Sequence, residues 1–101
     1  MSIENSIYLK NTITELLRNE LPVLRAKARI SQEEIAEKIG MSRQTYSSIE
    51  TGKREMSWTT FLALIAYFQN NESTKQMIGE IKGLSEGIRM VMEPTSEKKQ
   101  K

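Results

Sequence analysis

The chain has 101 residues, 15 Lys and Arg against 13 acidic residues, a net charge of +2, and neither His nor Cys. That length holds one small domain, and the missing residue types exclude a zinc site with Cys or His ligands, a Ser-His or Cys-His catalytic pair, and any disulfide or thiol centre. All the acids are glutamates, which also removes an aspartate-built calcium loop; the chain reads as a non-enzyme with no metal and no cofactor.

Apolar residues recur at helical spacing along almost the whole chain. Leu9, Ile13, Leu16 and Leu17 predict a first helix, and Leu21, Leu24 and Ala28 continue its stripe beyond Pro22. Proline disrupts a helix interior, so a break or kink is expected near Asn19–Pro22, with a second helix running to about Ala28. Ser31 with Glu34 makes a capping box for a helix Gln32–Ile39 that buries Ile35, Ala36 and Ile39. Gly40 can end it in the left-handed conformation. Ser42 caps a helix Arg43–Glu50 with Tyr46 and Ile49 inward. Residues 51–54 form a loop, and Ser57 caps a helix Trp58–Phe68. That helix is apolar nearly all round and has to be covered on more than one side. Asn70 and Asn71 mark a loop before a final helix, Ser73–Met92, carrying Met77, Ile81, Leu84, Ile88 and Val91. Gly79, Gly83 and Gly87 each cost ~1 kcal/mol inside a helix, and their spacing means either close helix approach or a break. Pro94 ends the helix, and the polar tail Thr95–Lys101 is expected to be disordered.

The N-terminus lacks the pattern of a secretory signal, and the apolar stretch Phe61–Phe68 is too short to span a bilayer. A cytoplasmic location is therefore expected. Charge is uneven: residues 21–56 carry seven basic and five acidic side chains, a mild surplus that suits an anionic partner.

The helices Gln32–Ile39 and Arg43–Glu50, joined by Gly40-Met41-Ser42, have the spacing of a helix-turn-helix, whose second helix can enter a DNA major groove. The run SQEEIAEKIGMSRQTYSSIETGKREMS resembles the lambda-repressor/Cro-type, or xenobiotic-response-element, family. Ser31-Gln32, Ala36, Gly40, Ser42-Arg43, Ile49-Glu50 and Gly52-Lys53-Arg54 carry the resemblance, which covers about Leu17–Phe68. It implies an all-α fold: a compact bundle of about five helices of the lambda-repressor-like DNA-binding type, here with an extra N-terminal helix and a C-terminal helix. The expected division is an extension over 1–20, a helix-turn-helix domain over 21–70, a C-terminal helix over 71–93 and a tail over 94–101. Three positions depart from the family pattern. Pro22 falls within the usual first helix. Met56 stands where proline is frequent before Ser57. Arg29 stands where glycine is frequent before the aliphatic–Ser–Gln step. A non-glycine residue in a left-handed cap costs ~1 kcal/mol, so that helix end is expected to form differently.

Arg43 and Gln44 open the second helix, where arginine can read guanine and glutamine adenine in bidentate fashion; phosphate contact or plain solvation is the bland reading for Arg43. Ser47 and Ser48 lie one turn on, where one or the other points outward and can meet a base or the backbone. Ser42 and Thr45 suit phosphate, and Thr45 alternatively a thymine methyl. Gln32 sits at a helix N-terminus that favours phosphate, or simply caps it. Thr51, Lys53 and Arg54 suit the flanking phosphates. Tyr46 is expected in the core with its hydroxyl at the surface, and Glu50 holds the bundle together rather than facing DNA. Glu34 and Lys38 form an i,i+4 pair on a solvent face. Phe61, Ile65 and Phe68, with Met77, Ile81, Leu84, Ile88 and Val91, are expected at a dimer interface, the alternative being packing within their own domain. These readings converge on a sequence-specific regulator of double-stranded DNA, a repressor since no activation or ligand domain is evident, acting as a homodimer on a palindromic operator without a membrane partner. The alternative is an antitoxin-like or accessory module that binds a partner protein through its apolar C-terminal helices.

Overall fold

Ser2 accepts the Asn5 N–H at 3.1 Å and opens α1, which runs unbroken over Ile3–Ala28 in the computed structural model, whose described residues are 2–94. The break expected near Asn19–Pro22 does not occur, and the boundary expected after residue 20 falls inside α1. Pro22 sits within the helix on its exposed side. Its missing N–H and its ring cost about 3 kcal/mol. Leu17, Leu21 and Leu24, before and after it, are completely buried, and each such side chain contributes about 1.5–3 kcal/mol. One continuous buried face outweighs the local penalty.

The C-terminus of α1 also departs from expectation. Arg29 takes the left-handed conformation itself, at φ 57°. Its N–H donates to the Ala26 carbonyl at 3.2 Å, and the Ile30 N–H reaches back to Arg25 at 3.0 Å. These are the two bonds of a Schellman motif, and they seat Ile30 in the core at 7% exposure. Two satisfied carbonyls and a buried isoleucine offset the ~1 kcal/mol of left-handed strain.

Three helices follow as their caps predict: α2 (Gln32–Ile39), α3 (Arg43–Glu50) and α4 (Trp58–Gln69). Both bonds of the Ser31–Glu34 capping box form, at 3.0 Å each. Phe61, Leu64, Ile65 and Phe68 of α4 are buried, while Trp58 stacks on Phe61 and carries the Lys10 ammonium over its ring at 5.2 Å. The first turn of α4 is thus covered by α1.

The single C-terminal helix expected over Ser73–Met92 is two: α5 (Lys75–Glu80) and α6 (Leu84–Met92). Gly83, at φ 89°, turns the chain between them and packs its α-carbon side toward Leu16. Buried Thr74 starts α5, its hydroxyl donating to the Phe68 carbonyl at 2.8 Å. Downstream, α6 returns antiparallel along α1 with Gly87 pressed against Ile13. Residues from α1 to α6 share one core, Ile13 and Leu17 lying together with Ile35, Tyr46, Phe61, Ile78 and Leu84. The eight residues expected at a dimer interface lie in or against this core. Phe61, Ile65, Phe68 and Leu84 are enclosed by their own chain. Met77, Ile81, Ile88 and Val91 are half-buried against the same core. Among the described residues no helix is long and apolar enough to cross a membrane. The expectation for the tail Thr95–Lys101 lies outside the described residues.

Candidate nucleic-acid interface

The turn between α2 and α3 is built by backbone chemistry. Gly40 is left-handed at φ 85°, its N–H donates to Glu37 at 3.2 Å, and the Met41 N–H reaches Ala36 at 2.9 Å. Ser42 then caps α3, accepting the Thr45 N–H at 3.1 Å and donating to Thr45 Oγ1 at 3.0 Å. The hydroxyls of Ser42 and Thr45 are therefore engaged with each other.

Successive helical residues are about 100° apart, so Tyr46 and Ile49 share one face of α3 and Arg43, Gln44, Ser47 and Ser48 the other. Tyr46 and Ile49 are buried at 0% and 2% exposure. Arg43 and Gln44 are exposed, and Ser47 and Ser48 half-buried. Among the described residues none of these four outward side chains hydrogen-bonds to the protein, so their donors and acceptors are available to a ligand. Beyond the helix, Thr51 Oγ1 donates to the Ser47 carbonyl at 2.9 Å, and the Arg54 N–H to the Ser48 carbonyl at 3.1 Å. These bonds fold the loop back on the end of α3 while the side chains of Lys53 and Arg54 remain exposed. Gly52 is left-handed at φ 85°, and a Cβ there would lie 3.2 Å from Arg18 Nη1. Arg18 is held from below by Glu15, with Nε to Oε1 at 3.0 Å.

The inward side of α3 is fastened by one carboxylate. Glu50 accepts Arg25 Nε and Nη2 at 2.9 Å each, the Tyr46 hydroxyl at 2.6 Å, and Gln32 Nε2 at 3.3 Å. Arg25 Nη1 also donates to the Ile30 carbonyl at 3.3 Å. The Glu50 side chain is 7% exposed and that of Arg25 19%. Burial pushes the Glu50 carboxyl up, but the hydrogen bonds from Arg25 and Tyr46 win and hold it below the usual carboxylate range. Burial, then the bond to Glu50, drives the Tyr46 phenol far above its ordinary value. The Tyr46 hydroxyl is thus internal, not at the surface as its place in the sequence suggested. Gln32 spends one amide N–H on Glu50 and keeps the rest of its carboxamide for another partner.

Sequence reasoning expected Arg43 and Gln44 to be exposed and Glu50 to be structural, left open which of Ser47 and Ser48 points outward, and missed Arg25 and Arg18. Arg25 lies 25 residues from Glu50, beyond any helical spacing rule, and nothing in the sequence pairs them. Arg18 could have been matched to Glu15 as an i,i+3 pair, though not to Gly52.

The geometry defines an all-helical domain whose second short helix presents polar side chains outward from a rigid turn. A family model described as a helix-turn-helix domain matches residues 16–72, more than half of the chain, and the protein belongs to that family. It is similar to an uncharacterized HTH-type transcriptional regulator of Methanocaldococcus jannaschii, with 36% identity over 52 residues that make up 52% of this chain and 79% of that protein. No solved structure matches.

Proposed function

We propose that the protein is a sequence-specific double-stranded DNA-binding transcriptional regulator, a repressor that acts from the cytoplasm as a homodimer on a palindromic operator. The observation that carries this reading is the division of α3: its inward face is locked by Tyr46, Ile49 and Glu50, while Arg43, Gln44, Ser47 and Ser48 stand outward and unbonded. Laid in the major groove, Arg43 and Gln44 at the N-terminal turn meet base edges, and Ser47 and Ser48 follow the groove floor. Lys53 and Arg54 reach the flanking phosphates, with Gln32 and Thr45 as neutral backbone contacts, and Ser42 and Thr51 join them by turning their hydroxyl protons from Thr45 and Ser47 to phosphate. Repression requires only occupancy of the operator.

Selection of bound sequences from random duplex DNA is the direct test and should return an inverted repeat. Arg43→Ala and Gln44→Ala should each cost about 1–3 kcal/mol on that site and relax base preference there, with non-specific binding changed less. Variants that retain the full sequence preference of the parent overturn the assignment of α3. The rival role, a partner protein held on the C-terminal helices, is weakened by the burial of Phe61, Ile65, Phe68 and Leu84.

A further inference from the structure

Of the six large apolar side chains exposed among the described residues, Val23, at 50%, stands alone in the second half of α1, and the other five are gathered at one end of the molecule. Ile3 is 78% exposed, Ile7 54%, Tyr8 74%, Met90 41% and Met92 59%. The first three occupy the opening two turns of α1, and the other two the last turn of α6. The antiparallel register, Gly83 beside Leu16 and Gly87 beside Ile13, brings Val91 to the level of Leu9, so the two segments lie side by side. Both fall outside residues 16–72; they are what this chain adds to the family domain.

We propose that this end is the docking surface for a second copy of the chain, the projecting turns of the two α1 helices packing on each other and on the end of the partner's α6. The proposal rests on the DNA-binding reading only in that two recognition helices need a two-fold pair. Area, charge and composition favour a second copy. With five large apolar side chains 41–78% exposed, the patch is on the order of several hundred Å², the size at which exposed apolar surface marks an interaction site. A standard interface takes about 800 Å² from each partner, about 65% of it apolar in homodimers, so the patch is sufficient when used twice. A two-fold contact is self-complementary and uses the same patch on both copies. Glu4 is the one charged residue among positions 2–9, and Arg89 is held by Glu86 and Glu93. Two copies therefore approach without bringing a block of like charge together. Residues 95–101, Thr-Ser-Glu-Lys-Lys-Gln-Lys, carry no apolar side chain.

Sedimentation equilibrium of the full chain through the micromolar range tests this. The parent should show a reversible monomer–dimer equilibrium, and the double variant Ile7→Glu/Met92→Glu should weaken it at least tenfold. Thermal unfolding at a concentration where the parent is monomeric should change little, because each side chain is more than half exposed there. The double variant should bind a single half-site as the parent does and lose the advantage of the palindrome. A parent that stays monomeric throughout, or a dimer that survives the double variant, overturns the proposal. Arg43→Ala separates the two claims: it should relax base preference at its position and leave dimerisation intact. A parent that dimerises through Ile7 but binds no DNA supports this surface and removes the DNA reading.

Discussion

Lys53 and Arg54 follow α3 on a loop that is folded back onto Ser47 and Ser48 by main-chain carbonyls, so their charges travel with α3 as a rigid unit. Replacing either by alanine should weaken specific and non-specific binding alike. Each should also flatten the dependence of log K on log salt by about one unit. Gln32→Ala should weaken binding with little change of slope, because glutamine releases no counterion. A Lys53/Arg54 double variant with the parent's slope would remove the phosphate role. The Glu50 cluster makes a separate prediction about stability. The Glu50 carboxyl is held below its ordinary value, so its contribution is fully present above about pH 4.3, the unfolded value, and is lost as pH falls through the lower native one. The Tyr46 phenol is raised, so its contribution holds below about pH 10 and is lost progressively above it. Chemical denaturation across pH should therefore show an acid and an alkaline decline, the first shallower in Glu50→Gln and the second in Tyr46→Phe. Removing only Arg25 leaves a buried carboxylate unpaired and should cost about 3–5 kcal/mol.

At the scale of elements, what could be read from the sequence was set by local chemistry. The boundaries of α2 and α3 follow from Ser31, Glu34, Gly40 and Ser42, each of which acts within four residues of itself. The outward and inward faces of α3 follow from helical periodicity in the same way. Pro22, Arg29 and Gly83 were harder because their local preferences are opposed or decided by distant packing. The buried leucines around Pro22 override a helix breaker. The seating of Ile30 overrides the strain at Arg29. Leu16 and the core under Leu84 select a turn at Gly83 from three similar glycines. These three glycines can be told apart by substitution. Gly79→Ala meets open space and should stabilise by up to ~1 kcal/mol. Gly87→Ala would drive its Cβ into the Ile13 methyl, and Gly83→Ala would force a left-handed alanine; both should destabilise by ~1–3 kcal/mol. Thermal melts of the three variants check the order.

At the scale of the whole molecule, the additions to the family domain are not appendages. Ile13 and Leu84 lie in the same buried cluster as Ile35 and Tyr46 of the helix-turn-helix, so one core spans the chain. Leu84→Ala, far along the sequence from α3, should cost about 2–5 kcal/mol and lower the unfolding midpoint of the entire protein. Helical circular dichroism and the fluorescence of Trp58, the single tryptophan, should report one coincident transition in parent and variant. Two separated transitions would show that α5 and α6 fold independently of the helix-turn-helix. The sequence separation between Arg25 and Glu50, and between Ile13 and Gly87, explains why this unity could not be read from periodicity: helical spacing reports which face is apolar, not which other face it meets.

The fastening of α3 from behind has a consequence for how such a protein can change. Glu50, Tyr46 and Ile49 secure the helix without help from positions 43, 44, 47 and 48, whose side chains hold nothing in place among the described residues. Frame and outward face are therefore separately exchangeable. On the proposed reading, substitutions at the four outward positions should change which sequence is bound while the melting temperature stays near that of the parent.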